Sequence, residues 1–274
     1  MKLWISAALL ATLLAGCGRN PAPPTSSPAP AATPAAAVPA PADTGTAEQI
    51  QRALTLKGEG KLADVRALLQ PLADNPNASD KVLDLLGEID TQIVMTPTPA
   101  PEKIDYTIVA GDALGKVAKK FGTTIELIKK SNDLTGDTIR IGDRLRIYQG
   151  HFAVTISKTA NTLLLTDNGK FFKRYRVGTG QFSNTPVGEF KITSRVEHPE
   201  WWRADGRTIP FGDPENILGT HWLGLDAPGY GIHGTWEPNS IGKQATAGCI
   251  LLLNDDVAEL YTILPLGTAV TIRD

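Results

Sequence analysis

Hydrophobic residues change their spacing several times along the chain, and each spacing predicts a different kind of element. Over residues 46–93 apolar side chains recur at helical intervals, and glycines and an Asn-Pro-Asn stretch divide them into three predicted helices. Residues 104–148 fit the order strand, helix, helix, strand. From residue 150 onward, short alternating runs between Gly and Pro turns predict many strands and one helix after Leu253. The predicted fold class is therefore multidomain α+β with a mainly-β C-terminal domain.

The first residues have the pattern of an export signal. Lys2 precedes an apolar run over residues 3–14, and small residues lead up to Cys17. The sequence LAGC resembles a bacterial lipobox, in which the signal is cut before the cysteine and the thiol is acylated. The resemblance implies an exported protein, lipid-anchored through Cys17 to the inner or outer bacterial membrane and facing the cell wall. The alternative is a plain signal peptide cut near Gly16.

Two segments follow that the pattern separates clearly. Residues 20–42 are almost wholly Pro, Ala, Ser and Thr, which favours an extended spacer. In the helical stretch, GKLADVRALLQPLADNPN resembles one tetratricopeptide repeat. Since a single repeat cannot bury its apolar face alone, either a small helical bundle or a module that docks a protein partner is expected.

The next segment carries a close resemblance to a known binding domain. YTIVAGDALGKVAKKFGTTIELIKKSNDLTGDTIRIGDRLRI is similar to a LysM domain from end to end. That family implies a βααβ fold and binding to N-acetylglucosamine-containing glycans such as peptidoglycan. The family usually has Thr and Ser where this chain has Ala113 and Gly115, near the expected glycan groove.

The charge balance argues against a nucleic-acid partner, and the cysteine content indicates one candidate reactive residue. Lys and Arg total 27 against 29 Asp and Glu, so no basic surface indicates a nucleic-acid partner. The chain has two cysteines, and acylation of Cys17 leaves Cys249 as the only thiol. A free cysteine is often simply a buried small hydrophobe, but an unpaired one in an exported chain is also a candidate reactive group.

A cysteine that attacks an acyl group needs a base and donors for the oxyanion. His233, in GIHG, precedes Cys249 by sixteen residues, and the flanking glycines allow other backbone to approach. The backbone N–H groups of Gly248 and Cys249 are candidate oxyanion donors. Three other histidines stay open as bases on residue chemistry alone, namely His151, His198 and His221. No close set of His, Cys or acidic residues has zinc spacing, so neither a metal nor another cofactor is expected.

A second resemblance makes the chemistry specific. GTGQFSNTPVGEF, IPFGDPENILGTHWLGL and GIHG followed by TAGCILLLND are together similar to the L,D-transpeptidase catalytic domain, over residues 151–273. The family implies a β-sandwich-like fold with Cys249 as nucleophile, His233 as general base, and the Gly234 backbone carbonyl as the group that orients His233. We assign Gly248 to the oxyanion hole. Substrate contacts are expected at Tyr230, Thr246 and Trp222.

The same resemblance implies the reaction. A peptidoglycan stem peptide acylates the cysteine, and an amine of another stem or of a protein resolves the thioester. Two other functions stay open: an L,D-carboxypeptidase or related hydrolase of the same fold with water as acceptor, and a non-catalytic wall-binding lipoprotein. Retention of both Cys249 and His233 disfavours the last of these.

Two positions depart from the family pattern beside the nucleophile. Ala247 stands where a polar residue is usual, and Leu251 stands where Arg or Asn is usual. Either another basic residue reads the substrate carboxylate, or the substrate is amidated there, or Leu251 faces the core. The basic candidates nearest in sequence are Arg203, Arg207 and Lys243.

The domain boundaries follow from these patterns, and the C-terminal domain is expected to have a core of its own. The predicted segments are a signal peptide over 1–16, a tether over 17–45, a helical segment over 46–95, a linker over 96–103, a LysM domain over 104–149 and a catalytic domain over 150–274.

Overall fold

The computed structural model describes residues 44–274, so the predicted export signal, Cys17 and most of the predicted tether lie outside the described residues. The first part, which we call the helical module, consists of α1 (Thr44–Gly58), α2 (Leu62–Ala73) and α3 (Asp80–Met95). Ser79 caps α3, because its hydroxyl accepts the Val82 N–H at 3.4 Å. Buried side chains of the three helices form one cluster, so the module is a small bundle.

The second part, the βααβ module, has the element order that its sequence predicts. It consists of β1 (Lys103–Thr107), α4 (Leu114–Phe121), α5 (Ile125–Lys130) and β2 (Arg144–Tyr148). The two strands pair antiparallel. Gly122 ends α4 in the left-handed conformation, with φ of 64°. Thr124 caps α5 by accepting the Leu127 N–H at 2.9 Å.

The C-terminal module is built mostly of short strands. They are β3 (Phe152–Ser157), β4 (Thr162–Asp167), β5 (Lys170–Arg176), β6 (Thr179–Gly180), β7 (Gly188–Glu197), β8 (Trp201–Trp202), β9 (Thr208–Ile209), β10 (His221–Leu225), β11 (Gly231–His233), β12 (Gln244–Thr246), β13 (Ile250–Leu251) and β14 (Ala269–Arg273). One α-helix, α6 (Asn254–Ile263), lies between β13 and β14. The strands β8 and β9 form an antiparallel hairpin, and β6 pairs with β12 in parallel.

Eight of these strands form one sheet, in the order β13-β11-β10-β7-β14-β3-β4-β5. The long strand β7 joins its two halves, since residues 188–191 pair with β14 and residues 192–197 pair with β10. Buried side chains from both halves form a single cluster with the inner face of α6. The predicted fold class, multidomain α+β with a mainly-β C-terminal domain, is confirmed.

The C-terminal module has the large core predicted for it, but that core is shared. Val94 of α3, Leu127 of α5 and Tyr148 of β2 all belong to its buried cluster. The helical and βααβ modules are therefore packed onto the C-terminal module by apolar side chains, rather than attached through linkers alone.

Polar contacts join the modules at the same places. Glu259 of α6 accepts hydrogen bonds from Lys173 at 2.7 Å, from the Tyr175 hydroxyl at 2.6 Å and from Thr91 of α3 at 3.1 Å. Arg195 of β7 pairs with Glu126 of α5 at 2.9 Å. None of the helices in residues 44–274 has the length and apolar character needed to cross a membrane.

Candidate active site

The candidate nucleophile and base lie on one face of the sheet, where three strands end side by side. His233 of β11 is paired with Leu251 of β13 in parallel register and with Trp222 of β10 in antiparallel register. Side chains at alternate positions of a strand share a face, so Cys249, two residues before Leu251, is on the same face as His233. The backbone N–H of Gly231, two residues before His233 on β11, lies beside the Cys249 thiol.

A backbone carbonyl fixes the orientation of the His233 ring. Its Nδ1 lies 2.8 Å from the carbonyl oxygen of Gly234. Because a carbonyl only accepts, Nδ1 carries the proton and Nε2 keeps a free lone pair. His233 is 3% exposed, and burial lowers the pKa of its imidazole to about 4, from an ordinary 6.5. The ring is therefore a neutral base at physiological pH.

The backbone at Gly234 packs closely against the side chain of Asn254, the first residue of α6. The Asn254 side-chain oxygen accepts the Thr220 N–H at 3.1 Å and occupies the position that a Cβ at Gly234 would need. A side chain at Gly234 would displace either this amide or the carbonyl that His233 uses. The contact between Asn254 and Thr220 spans 34 residues of sequence.

Cys249 is half-buried beside the turn between β10 and β11. Its thiol lies 3.6 Å from the carbonyl oxygen of Gly229, to which it donates. Burial raises the pKa of the Cys249 thiol, and the backbone N–H of Gly231 offsets part of this effect. The resting pair at neutral pH is thus an uncharged thiol and an uncharged imidazole.

The structure corrects the assignment of the oxyanion donor. The N–H of Gly248 donates to the Thr246 hydroxyl at 3.0 Å, so it is already used. The N–H of Cys249, the other donor expected from the sequence, has no acceptor among residues 44–274. Cys249 is therefore the better candidate for this role.

Position 248 requires glycine because of its backbone conformation and because a side chain would not fit there. Its φ is 150°, which favours glycine, and a Cβ there would lie 2.7 Å from the Tyr230 ring. Tyr230, predicted to bind substrate, is half-buried and lies against this glycine. It forms one wall of the candidate site beside Cys249.

The two other predicted substrate contacts have internal partners. Trp222 stacks on the His233 ring, with centroids 5.6 Å apart and planes inclined by 24°. Thr246 accepts the Gly248 N–H and donates to the Cys249 carbonyl at 2.7 Å. Both side chains shape the site around His233 and Cys249, and substrate contact by either one stays a prediction.

Leu251 points to the same face as His233 but is covered. It is 8% exposed, and its backbone pairs with Gly178 through two hydrogen bonds of 2.9 Å. Of the basic residues considered in its place, Arg203 and Arg207 are both engaged with Asp205 and Glu215, and these ion pairs are 3.1–3.3 Å long. Lys243 is exposed.

The sequence reading missed Thr185, whose hydroxyl is buried next to the nucleophile. It donates to the Gly248 carbonyl oxygen at 2.8 Å across 63 residues of chain. The only local signal was its place in NTPVGEF, one of the segments that carry the family resemblance. Within the described part of the chain, no group of three or more His, Cys, Asp or Glu side chains is arranged to hold a metal.

Comparisons with known proteins match the C-terminal module and the βααβ module to two families. The model of the L,D-transpeptidase catalytic domain (YkuD) matches residues 151–272, and the LysM domain model matches residues 106–147. The putative L,D-transpeptidase YqjB of Bacillus subtilis is 39% identical over 127 residues, which cover 44% of this chain and 70% of that protein. The putative L,D-transpeptidase YkuD of the same organism is 34% identical over 177 residues, covering 62% of this chain and 99% of that protein.

Among solved structures, an L,D-transpeptidase from Mycobacterium smegmatis aligns with a TM-score of 0.40 at 21% identity. The alignment covers 49% of this chain and 65% of that chain.

Proposed function

Because this chain belongs to the L,D-transpeptidase family, we propose that it is a cysteine-dependent acyltransferase that acts on peptidoglycan stem peptides. The observation that carries the proposal is the His233 ring, held by the Gly234 carbonyl at 2.8 Å on the same sheet face as Cys249. A neutral imidazole and a half-buried thiol on the same sheet face form the base–nucleophile pair that nucleophilic acyl transfer requires.

In the first step Cys249 is acylated. Its proton passes to Nε2 of His233 while Sγ bonds to the carbonyl carbon that precedes the terminal D-alanine of a tetrapeptide stem. The negative charge that develops on the carbonyl oxygen is stabilised by the N–H of Cys249. His233 then gives the proton to the D-alanine nitrogen as the carbon–nitrogen bond breaks, which leaves a thioester and free D-alanine.

In the second step an amine takes the acyl group. Its nitrogen attacks the thioester carbonyl carbon, His233 accepts the proton of the amine, and the carbon–sulfur bond breaks. The proton returns to the Cys249 sulfur, so the enzyme is regenerated and a new amide is formed. An amine on a second stem gives a cross-link, and an amine on a protein gives an attached protein.

In this proposal the other modules hold the enzyme at the cell wall. The LysM domain binds glycan strands and holds the enzyme on its polymeric substrate, where two weak linked contacts give avidity. Acylation of Cys17 anchors the exported chain to a membrane that faces the wall. Since α3 of the helical module is packed on the C-terminal module, any protein partner of that module binds to its remaining surface.

Product analysis tests the reaction. The full chain, purified in detergent, is incubated with soluble muropeptides that carry tetrapeptide stems, and the products are identified by mass spectrometry. We expect cross-linked dimers and free D-alanine. A matched Cys249→Ala variant should give neither product, because it lacks the nucleophile.

The other functions predict other products. Tripeptides without dimers would indicate an L,D-carboxypeptidase with water as the acceptor. No product from the wild type, with binding to insoluble peptidoglycan intact, would indicate a wall-binding lipoprotein and would overturn the proposal. A carbapenem, which mimics the acyl donor of this family, supplies a second readout: its mass should be added at Cys249 of the wild type only.

A further inference from the structure

Thr185 is buried next to the nucleophile and takes part in two hydrogen bonds. It lies between the short 3₁₀ turn at Gln181–Ser183 and β7, and it is 1% exposed. Its hydroxyl oxygen accepts the Gly180 N–H at 2.8 Å, and its hydroxyl proton goes to the Gly248 carbonyl oxygen, also at 2.8 Å. Because an N–H only donates, the bond from Gly180 fixes which way the hydroxyl proton points.

The Gly248 carbonyl and the Cys249 N–H are the two ends of one peptide group. In a planar trans peptide these two bonds point in opposite directions. A hydroxyl that holds the carbonyl therefore also fixes the direction of the N–H. The Cys249 N–H has no acceptor among the described residues, and it is the donor proposed for the oxyanion.

The peptide groups on both sides of this one are held by a second threonine. The Thr246 hydroxyl accepts the Gly248 N–H and donates to the Cys249 carbonyl. Two threonine hydroxyls thus hold the polar groups on both sides of the free N–H. Pre-oriented donors of this kind stabilise a developing negative charge without reorganisation during the reaction.

The packing around Thr185 leaves little room for another arrangement. A Cβ at Gly180 would lie 2.7 Å from the Thr185 nitrogen and 2.9 Å from the Gly248 Cα. Gly180 belongs to β6, which pairs with β12, and Thr246 is the last residue of β12. The strand pair therefore brings Gly180, Thr185 and Gly248 together at the nucleophile.

We propose that Thr185 is a positioning residue, which aims the Cys249 N–H at the oxyanion by holding the Gly248 carbonyl. The inference rests on the proposed acylation of Cys249 and adds a residue to it. Loss of an oxyanion donor typically slows acyl transfer about 10²–10³-fold, so loss of its alignment should slow acylation about 10–100-fold.

Two reactions of the same thiol separate alignment from general structure. Acylation by a carbapenem passes through a tetrahedral oxyanion, whereas alkylation by iodoacetamide is a direct displacement at carbon that forms none. Both rates are measured on the full chain in a Cys17→Ser background, so that Cys249 is the only thiol. The variants are Thr185→Val, which keeps the shape and loses the hydroxyl, and Thr185→Ser, which keeps the hydroxyl.

A control is available elsewhere in the module. Thr268 is 6% exposed and donates to the Pro265 carbonyl at 2.7 Å, before β14. Thr268→Val removes a hydroxyl–carbonyl bond of similar length from another buried threonine, outside the candidate site. We expect it to lower the melting temperature and to leave the rate of acylation by the carbapenem unchanged.

For Thr185→Val we expect acylation about 10–100-fold slower at an unchanged alkylation rate, and near wild-type rates of both reactions for Thr185→Ser. Acylation of Thr185→Val at the wild-type rate, or an equal loss of both rates, would overturn the inference. If Thr185→Val does not fold, the ratio of the two rates in Thr185→Ala decides by the same criteria. A wild type that alkylates but is never acylated would overturn the proposed function, and with it this inference.

Discussion

His233 and Cys249 show how burial sets the chemistry of single residues. His233 lies beneath the stacked Trp222 ring at 3% exposure, and burial lowers the pKa of the imidazole to about 4. Burial also raises the pKa of the Cys249 thiol. Both shifts disfavour a resting thiolate–imidazolium pair, so the proton transfer has to accompany the attack on the substrate.

The pH dependence of acylation follows from the His233 shift. The base must be neutral, and with a pKa of about 4 it stays neutral well below its ordinary value of 6.5. We expect the second-order rate constant for carbapenem acylation to be nearly constant from pH 8 to about pH 5 and to fall by half near pH 4. Stopped-flow absorbance of the carbapenem measures this rate at each pH.

Stability has to be followed in the same experiment. The folded-state pKa of His233 lies below that of the unfolded chain, so its contribution to stability is present above pH 6.5 and is lost as the pH falls towards 4. A melting temperature recorded at each pH identifies the range in which the protein is folded. A half-maximal rate near pH 6.5 in folded protein would show that the base is solvated or is another histidine.

The residues of the site differ in how far their roles can be recognised from the sequence around them. Cys249 was a candidate on residue chemistry, whereas the roles predicted for His233 and Gly234 came from the family resemblance, because residue chemistry alone left the other histidines open. Thr185 and Asn254 could not be recognised, because their hydroxyl and amide act on carbonyls and N–H groups 63 and 34 residues away. The sequence offered the N–H groups of both Gly248 and Cys249 as oxyanion donors, and the structure separates them because the Thr246 hydroxyl accepts the Gly248 N–H.

At the scale of elements, β13 is the short strand that carries the nucleophile into place. It pairs on one side with β11, and its Leu251 pairs on the other side with Gly178, just before β6. Leu251 is 8% exposed on the face that carries His233. Its side chain therefore fills the floor of the site, which explains how an apolar residue can occupy this position.

Leu251→Arg tests whether that floor is closed. A guanidinium there would be buried without a partner, so we expect the free energy of unfolding to fall by about 3 kcal/mol or more, as measured by urea denaturation. Leu253→Arg, two residues later and 40% exposed in the wild type, is the matched control and should stay within about 0.5 kcal/mol. If Leu251→Arg were as stable as the wild type, its side chain would reach the cleft, and its preference for stems with a free carboxylate should then increase.

Most elements were predictable because their patterns are local. The helices of the βααβ module are marked by Gly122 and by the Thr124 cap, and alternate residues are buried along β14. The division of β7 between two partner strands was not predictable, because nothing in its ten residues marks the change at Ile192. Pairing partners depend on which side chains meet across the core, and the local pattern of one strand does not specify them.

At the scale of the whole described chain, three modules are built around one large core. Val94, Leu127 and Tyr148 enter it from outside the C-terminal module. Glu126 pairs with Arg195, and the Thr124 hydroxyl donates to the Thr262 carbonyl at the same junction. The LysM domain is therefore packed against the C-terminal module, and in the proposed function this packing restricts the glycan positions that the site can reach.

Leu127→Ala tests this coupling, because Leu127 belongs to the LysM domain in sequence and to the C-terminal core in space. Removing its buried side chain, 1% exposed, should cost about 2–5 kcal/mol. The tryptophans of the described chain, Trp201, Trp202, Trp222 and Trp236, all lie in the C-terminal module, so their fluorescence reports on that module alone. We expect the fluorescence midpoint in urea to shift together with the midpoint from far-UV circular dichroism, as one cooperative transition.

Ile128→Ala is the control, since the neighbouring Ile128 is buried in the LysM domain's own cluster. An unchanged fluorescence midpoint in Leu127→Ala would show that the modules unfold independently and that their shared core contributes little to stability.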